Sequence, residues 1–513
     1  MHLGHRGAPR PAMPRRHITV AAVVLALVGV VAGSSTTLGA SRIVQEINAS
    51  ANLLAKRFPS NNATEPVIAV DPTDATRMAL TYNTRGARCG ISPGVRVSLD
   101  GGATWKDAAR KPWAGSGRFP NWHATLAWGP GPEQGKSRLY WADTTVRDCT
   151  FSDHRLSIAY SDDLGATWSK LFVYQGSAAT PFGGYPDISV DRNPASPNYG
   201  VVYAAINWFA RSADEPGFRL IASADFGTTW SAAEVGALPA RSGYRFRYRI
   251  GYRLRAAPDG ALYATFCQRD RRSPSGAVGR LAFGVSRVTF DRTTGTLAPS
   301  PPALAAKVNV NSFTLGGRAA PGTRDRLRLN PCWTHGLDVD SNGDVYLAIA
   351  NFRPKPGAGE TRGVVLLGRS SDAGTTWSWR TLPSLAPAEG RSQSAHKPAL
   401  VVENRTVFVG FHVLADVPLA SGVTPAAVVG NAYTVSYDQG ATFEPPTLIS
   451  NLVWHPDWLD HSRNASGIRD RAELAGTGTV VYAYGDGRDA AAKPDARWGR
   501  GQIYVASIEL GTP

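Results

Sequence analysis

The 513-residue chain has little methionine, lysine and cysteine, and after its first forty residues it has no long apolar run. It contains 3 Met, 4 Cys and only 9 Lys among 55 basic residues. No cysteine spacing matches a zinc finger or a CxxC redox pair, so those sites are excluded. The missing apolar runs exclude a helical protein that crosses a membrane repeatedly. A charged fraction of 19% excludes a long coiled coil and a disordered chain.

The chain is strongly basic, with a net charge of +15 and a pI near 9.8. A net positive charge of this size attracts polyanions through its long-range electrostatic field. Nucleic-acid binding modules add a basic run, a zinc pattern or an aromatic RNA-binding signature to their charge, and none is present here. We therefore predict no nucleic-acid partner.

Residues 1–40 have the layout of an export signal. Arg6, Arg10, Arg15 and Arg16 precede an apolar run at 18–32, and small residues follow up to Ala40. The run is shorter than the roughly 20 residues that span a bilayer, although an uncleaved membrane anchor is the alternative. We expect a secreted or extracytoplasmic protein that contacts a membrane only through this segment, if the segment is retained.

Aromatic residues, glycine and proline are abundant and evenly spread. The chain has 14 Trp, 17 Tyr and 17 Phe together with 53 Gly and 36 Pro. Aromatic residues favour strands, and Gly and Pro favour turns. The composition therefore predicts an all-β chain of many short strands.

One motif, S-x-D-x-G-x-T-[W/F], occurs five times. Its aspartates are separated by 63, 62, 147 and 66 residues, and they are Asp100, Asp163, Asp225, Asp372 and Asp438. The long gap fits two repeats, and Asp291 with Gly295 occupies the position of a degenerate copy. In each motif the Asp accepts backbone N–H bonds and the Gly takes a positive φ, which is typical of a tight hairpin. The aromatic residue that follows is suited to packing between sheets, so these aspartates are predicted to be structural.

Matching pairs of strands precede each motif and give seven units of about 65 residues, each with four strands. Four-stranded units repeated radially form a β-propeller. The seventh unit stops after three strands, so we expect residues 41–63 to complete the last blade and close the ring, and residues 64–513 to form the propeller. Six blades with an appended sheet is the competing count.

The five motifs resemble the Asp boxes, or BNR repeats, of the sialidase-like propeller superfamily. The resemblance spans about residues 60–510 and implies a propeller with a glycan-directed site at the mouth of the central channel. Sialidases carry an Arg-Ile-Pro element at the first inner strand, whereas this chain has Glu65-Pro66-Val67. The sialidase catalytic set is therefore not recognisable, and an enzyme of this kind would be a glycosidase or a polysaccharide lyase. The alternative is a non-catalytic propeller that binds carbohydrate or protein as an envelope or extracellular scaffold.

The repeat also predicts the functional face. Short turns and motif hairpins share one face, and the long loops leave the other, where binding residues usually lie. On the loop face each inner strand begins with polar residues directed at the channel. Glu65 and Asp187 are the candidate acid/base groups. The candidate substrate-binding residues are His123, Arg253, His335, His396, Lys397, Arg469 and Arg471. The partner is then a glycan or anionic polysaccharide, or an extracytoplasmic protein.

No cofactor or metal is expected, because ligands from different blades would have to converge within about 2 Å of one ion. The four cysteines are predicted to form two disulfides. Cys89 and Cys149 lie in equivalent long loops of adjacent blades, and Cys267 and Cys332 lie at the junction of two later blades.

Overall fold

The computed structural model describes residues 40–50, 63–84, 92–111, 119–146, 154–174, 186–207, 218–236, 238, 246–270, 279–310, 314–315, 318–319, 332, 334–354, 361–385, 393–417, 426–450, 471–475, 478–486 and 502–511. The regular elements within these ranges are all strands apart from one 3₁₀ position at Cys332. Within them no helix is long and apolar enough to cross a membrane. The predicted signal or anchor at 1–40 lies outside the described residues except for Ala40.

The strands form seven antiparallel sheets in chain order. Sheet one contains β2 (Thr64–Asp71), β3 (Asp74–Thr84), β4 (Ser92–Ser98) and β5 (Lys106–Asp107). Sheet two contains β6 (Phe119–Pro130), β7 (Ser137–Val146), β8 (His154–Ser161) and β9 (Phe172–Tyr174). Sheet three contains β10 (Asp187–Val190), β11 (Val202–Asn207), β12 (Phe218–Ser223) and β13 (Ser231–Val235).

The later sheets follow the same order with small additions. Sheet four contains β14 (Phe246–Ala256), β15 (Leu262–Asp270), β16 (Gly279–Asp291), β17 (Thr296–Pro299) and β18 (Ala303–Val310). Sheet five contains β19 (Thr314–Leu315), β20 (Arg318–Ala319), β21 (Gly336–Val339), β22 (Val345–Pro354), β23 (Thr361–Ser370) and β24 (Ser378–Thr381). Sheet six contains β25 (Gln393–Glu403), β26 (Thr406–Val417), β27 (Ala426–Ser436) and β28 (Thr447–Leu448). Sheet seven contains β29 (Arg471–Leu474), β30 (Thr479–Asp486), β31 (Gln502–Glu509) and β1 (Arg42–Asn48).

The sheets are arranged radially around one axis. The first strands of consecutive sheets contact one another all the way round, and β29 of sheet seven contacts β2 of sheet one. Each of seven apolar clusters is shared by two neighbouring sheets, including one that joins Ile68 and Leu80 of sheet one to Val481 and Val505 of sheet seven. The predicted all-β propeller is therefore confirmed, with seven blades rather than six.

The fourth strand of sheet seven comes from the N-terminal segment. Strand β1 pairs antiparallel with β31, so that Ile43 lies opposite Ile508 and Ile47 lies opposite Val505. Residues 51–62, which connect β1 to the first blade, lie outside the described part of the chain.

The five repeated motifs form the hairpins between third and fourth strands. In the fourth copy the Asp372 carboxylate accepts the Thr376 N–H at 2.8 Å and the hydroxyls of Thr376 and Ser370 at 2.6 and 2.8 Å. Gly374 follows at φ 85°, a conformation in which only glycine is unstrained. Trp377 packs into the cluster between sheets four and five, and its indole N–H donates to the Gly374 carbonyl at 3.0 Å. In each of the five blades that carry it, the motif thus packs its aromatic residue against the preceding blade.

The antiparallel strand order places the two sets of connections at opposite ends of the channel. Each first strand runs towards the short turns, which share an end with the motif hairpins, and each second strand returns to the end where the long loops leave. The inner-strand starts named as site candidates are therefore at the long-loop end.

One of the two predicted disulfides lies within the described residues. Cys267 on β15 and Cys332 just before β21 form a disulfide with a Cα–Cα distance of 5.1 Å, and both residues are buried between sheets four and five. This pairing is confirmed, and a buried disulfide is typical of proteins outside the cytoplasm. Cys89 and Cys149 lie outside the described residues.

Candidate functional site

Three inner strands share an unusual backbone at the long-loop end. Glu65, His123 and Lys397 have φ angles of 58°, 63° and 52°. Each lies at a register shift in the pairing of its strand with the next strand of the blade. Such bulges redirect side chains and are enriched beside active sites. A left-handed φ at a residue other than glycine costs about 1–3 kcal/mol, and it clusters at functional sites.

The other described non-glycine residues with positive φ lie in hairpin turns rather than within strands. They are Leu164, Phe226, Ala373, Asn404 and Gln439. The three strained residues within strands are therefore a separate group, which marks one end of the channel on sheets one, two and six.

Glu65 and His123 form a pair between sheets one and two. A carboxylate oxygen of Glu65 contacts Nδ1 of His123 and also accepts a 2.6 Å hydrogen bond from the Asn83 amide on β3. Both members are largely buried, with 6% and 1% of their surface exposed. A carboxylate at Nδ1 fixes the imidazole orientation and favours a proton on Nδ1, which makes Nε2 the basic nitrogen. The pair can therefore accept and return a proton.

The opposite side of the ring, on sheets four to six, supplies cationic and imidazole groups. Arg253 on β14 donates from Nε to the His335 carbonyl at 2.9 Å and from Nη1 to the Tyr252 carbonyl at 2.8 Å. His335 Nε2 lies 2.8 Å from the Thr265 hydroxyl. Arg253, His335 and Lys397 are all buried. This side of the channel mouth is suited to an anionic group.

Asp187, the second predicted acid/base residue, has a different environment. It is completely buried on β10, and its Oδ2 accepts the backbone N–H of Leu254 on β14 at 2.9 Å. This hydrogen bond connects sheets three and four, whereas the Glu65 carboxylate is engaged with His123. Asp338 on β21 connects sheets five and six in the same way, because its carboxylate accepts the Val402 N–H at 2.7 Å. Acid/base chemistry by Glu65 together with Asp187 stays a prediction.

The remaining candidates are only partly described. Arg469 lies outside the described residues, and Arg471 is the first residue of β29, at the long-loop end of sheet seven. His396 is buried on β25, and its ring centre lies 5.6 Å from that of His412. Phe352 on β22, an aromatic residue at the same end of the channel, is only 1% exposed and belongs to the interior.

Sequence reasoning missed a cluster around the buried Lys111 at the long-loop end of sheet two. Lys111 Nζ donates to the Trp141 and Ser157 carbonyls at 3.0 Å and lies 3.2 Å from the Asp143 carboxylate. Burial lowers the pKa of Lys111 to about 8, and the opposing effect of Asp143 is smaller. No sequence signal identifies this cluster, because Lys111 follows a short edge strand in a linker.

A charged network inside the channel was also missed. Arg255 Nε lies 2.7 Å from Asp338, and its Nη1 lies 3.8 Å from Glu473, which also contacts Arg192 at 3.4 Å. Burial raises the pKa of Asp338, and Arg255 partly offsets this effect. The network borders a cavity of about 360 Å³ at the short-turn end, the end opposite Glu65 and His123.

No group of three or more His, Cys, Asp or Glu side chains is placed to hold a metal ion within the described ranges.

Comparison with known proteins gives similarity to solved structures only. Neither a family model nor a curated protein sequence matches the chain. Solved structures with a similar chain path include the GH93 α-L-arabinofuranosidase of Fusarium graminearum, with 11% identity over 76% of this chain and 97% of that chain, at a TM-score of 0.40. The PL25 ulvan lyase has 12% identity over 91% of this chain and 96% of that chain, at a TM-score of 0.45. A leech intramolecular trans-sialidase has 12% identity over 74% of this chain and 67% of that chain, at a TM-score of 0.36.

The proteins named in these comparisons act on glycans. At identities of 10–13% and TM-scores below 0.5, the likeness concerns the path of the chain and carries no argument about chemistry.

Proposed function

We propose that the chain is an exported polysaccharide lyase that acts on anionic, uronate-containing glycans at the long-loop mouth of the channel. The observation that carries the proposal is the Glu65–His123 pair, in which both residues are held in a strained left-handed backbone at matching bulges of adjacent blades. An imidazole oriented by a carboxylate is the arrangement that serves proton transfer near neutral pH.

The proposed reaction is a β-elimination. Nε2 of His123 removes the proton on the carbon next to the uronate carboxylate, and Glu65 stabilises the resulting imidazolium. The carbon–oxygen bond to the neighbouring sugar breaks as a carbon–carbon double bond forms, and the departing oxygen takes up a proton from water. The imidazolium then returns its proton to the solvent, which restores His123. Lys397 and Arg253, on the cationic side of the mouth, would offset the charge that develops on the carboxylate.

A lyase fits the described groups better than a hydrolase. Hydrolysis by the common routes needs two carboxyl groups that face each other across the scissile bond, about 5–9.5 Å apart. Glu65 is engaged with an imidazole, and Asp187 is engaged with the backbone of a neighbouring blade. Elimination needs one base and a cationic environment, which His123 and the pair of Lys397 and Arg253 would supply.

The test uses the full chain and a panel of uronate-containing, sulfated and neutral polysaccharides. Elimination produces an unsaturated uronate that absorbs ultraviolet light, whereas hydrolysis produces new reducing ends without that absorbance. We expect absorbance with at least one uronate polymer. We also expect His123→Asn to lower kcat by about 10²–10⁴-fold, the usual contribution of general acid–base catalysis. Glu65→Gln should also have a lower kcat than the wild type.

Glu133→Gln is the matched control, because Glu133 is exposed in a turn at the short-turn end of the channel. Its activity should equal that of the wild type. New reducing ends without ultraviolet absorbance would indicate that the enzyme is a hydrolase rather than a lyase. Retention of polysaccharide without any cleavage would favour the non-catalytic binding propeller. Full activity in His123→Asn would refute the role given to the pair.

A further inference from the structure

Sheet six carries a row of three polar side chains across its three inner strands. His396 on β25 lies directly opposite His412 on β26, and His412 lies directly opposite Asn431 on β27. Residues directly opposite each other on adjacent strands project from the same face of a sheet. All three are buried, with 2%, 2% and 0% of their surface exposed. The sequence hides this row, because its members are 16 and 19 residues apart.

Part of the row has unmet hydrogen-bonding capacity. Among the described residues, Nε2 of His396 and both amide atoms of Asn431 have no hydrogen-bond partner. Buried polar groups are nearly always hydrogen-bonded, so unpaired atoms at two of three neighbouring positions need an explanation. A ligand shared by the row would supply one.

The separation of the two imidazoles suits a single metal ion. Their ring centres are 5.6 Å apart, with the planes inclined at 56°. Two imidazoles that bind one ion at metal–nitrogen distances of about 2.0–2.1 Å have ring centres separated by roughly 5 Å. The two rings therefore need only a small adjustment to meet at one ion.

We propose that His396, His412 and Asn431 form a binding site for a divalent first-row transition metal ion of the zinc type. The imidazoles provide two nitrogen ligands and the Asn431 amide oxygen provides a third, which leaves a further position for water or a neighbouring group. All three ligands come from one sheet, so the convergence problem that argues against a site between blades does not arise. The ion would fasten the three inner strands of the blade that carries Lys397.

The charge state of the row is compatible with metal binding. Burial lowers the pKa of His396, with smaller contributions from His412 and Lys397. Neutral imidazole is the form that binds metal. The three ligands bring no negative charge, and Lys397 adds positive charge nearby. We therefore expect moderate affinity, which a carboxylate at position 431 should increase.

The experiment uses the full chain after treatment with a chelator, followed by addition of Zn²⁺ or Co²⁺. Metal content, the visible absorption of Co²⁺ and the dependence of the unfolding midpoint on Zn²⁺ are measured. The wild type should retain one ion per chain, show a Co²⁺ spectrum typical of nitrogen and oxygen ligands, and unfold at higher temperature as Zn²⁺ increases. His396→Gln and His412→Gln should each bind the ion at least 100-fold more weakly, because loss of a ligand should exceed the 10–100-fold effect of losing a supporting partner.

His335→Gln is the matched control, since His335 is also buried but is hydrogen-bonded to Thr265 on another sheet. It should retain the ion. Asn431→Asp separates metal binding from a defect in folding. With a metal site the variant binds Zn²⁺ more tightly than the wild type, and Zn²⁺ restores its unfolding midpoint. Without a site the buried carboxylate lowers the midpoint equally with and without Zn²⁺.

The proposal is overturned if Zn²⁺ leaves the wild-type midpoint unchanged. It is also overturned if the histidine variants retain as much metal as the wild type, or if Asn431→Asp does not respond to Zn²⁺. The last result would indicate that water alone occupies the row.

Discussion

Removal of the Cys267–Cys332 disulfide should destabilise the propeller strongly, through the unfolded chain. The bond closes a segment with a sequence separation of 65 residues. In the loop-entropy treatment a closure of that length restricts the unfolded ensemble by about 4 kcal/mol at 25 °C. Both sulfur atoms also lie in the apolar cluster between sheets four and five, so Cys267→Ala/Cys332→Ala loses some packing as well. We expect a total loss of about 4–5 kcal/mol in the free energy of unfolding.

Urea unfolding followed by tryptophan fluorescence can separate these two effects. Loss of the cross-link should lower the midpoint and raise the m-value, because the unfolded chain without the bond exposes more surface. Val308→Ala, in the same cluster, is the packing control and should lower the midpoint without changing the m-value. If the double variant unfolds within about 1 kcal/mol of the wild type and with the same m-value, the entropic reasoning is wrong.

Two further predictions concern the blades beside the site. The pKa of Lys111 is lowered from 10.5 to about 8, so between those pH values the unfolded chain binds more protons than the folded one, and the free energy of unfolding should rise with pH. Lys111→Met should remove that rise, and it should also destabilise the protein by about 3–5 kcal/mol near neutral pH, because Asp143 would stay buried without its cation. Urea unfolding of both proteins from pH 7 to 10 checks both effects. Gly336→Ala should cost about 1–3 kcal/mol, because the new Cβ would lie 2.5 Å from that of Leu400 on the next inner strand. Gly236→Ala, where no atom lies within 4 Å, should change the thermal midpoint little, and equal midpoints for the two variants would contradict the packing argument.

The fold could be predicted because its information is local and repeated. Each copy of the motif specifies its own hairpin through one carboxylate, one glycine and flanking hydroxyls. The spacing of the copies then fixes the length of a blade and the number of blades. Even the degenerate copy keeps this chemistry, since Asp291 accepts the Thr293 N–H at 2.8 Å and Gly295 has φ 67°. Because the other copies repeat the pattern, one degenerate copy does not obscure the number of blades.

The site could be predicted only as a set of positions. The alternation of strands indicates which residues begin the inner strands, and Glu65, His123 and Lys397 are among them. Their contacts depend on register shifts, and a bulge without glycine leaves no recognisable sequence signature. The Glu65–His123 pair also joins residues 58 positions apart on different blades. The row at His396 and the cluster at Lys111 also join residues that are distant in sequence, so the sequence does not reveal them.

The backbone at the channel mouth argues that side-chain chemistry selected these residues. A bulge that served only the fold would be most stable with glycine, which adopts a φ near 60° without strain. Sheets one, two and six instead place Glu65, His123 and Lys397 there, and each position carries both the strain and the desolvation of a buried polar group. At the motif hairpins, residues with the same backbone lie in turns that the following glycine and the aspartate already stabilise. Three unfavourable choices at equivalent positions of a repeated fold, all at the end where the long loops leave, support the ligand-binding role that we propose for this end of the channel.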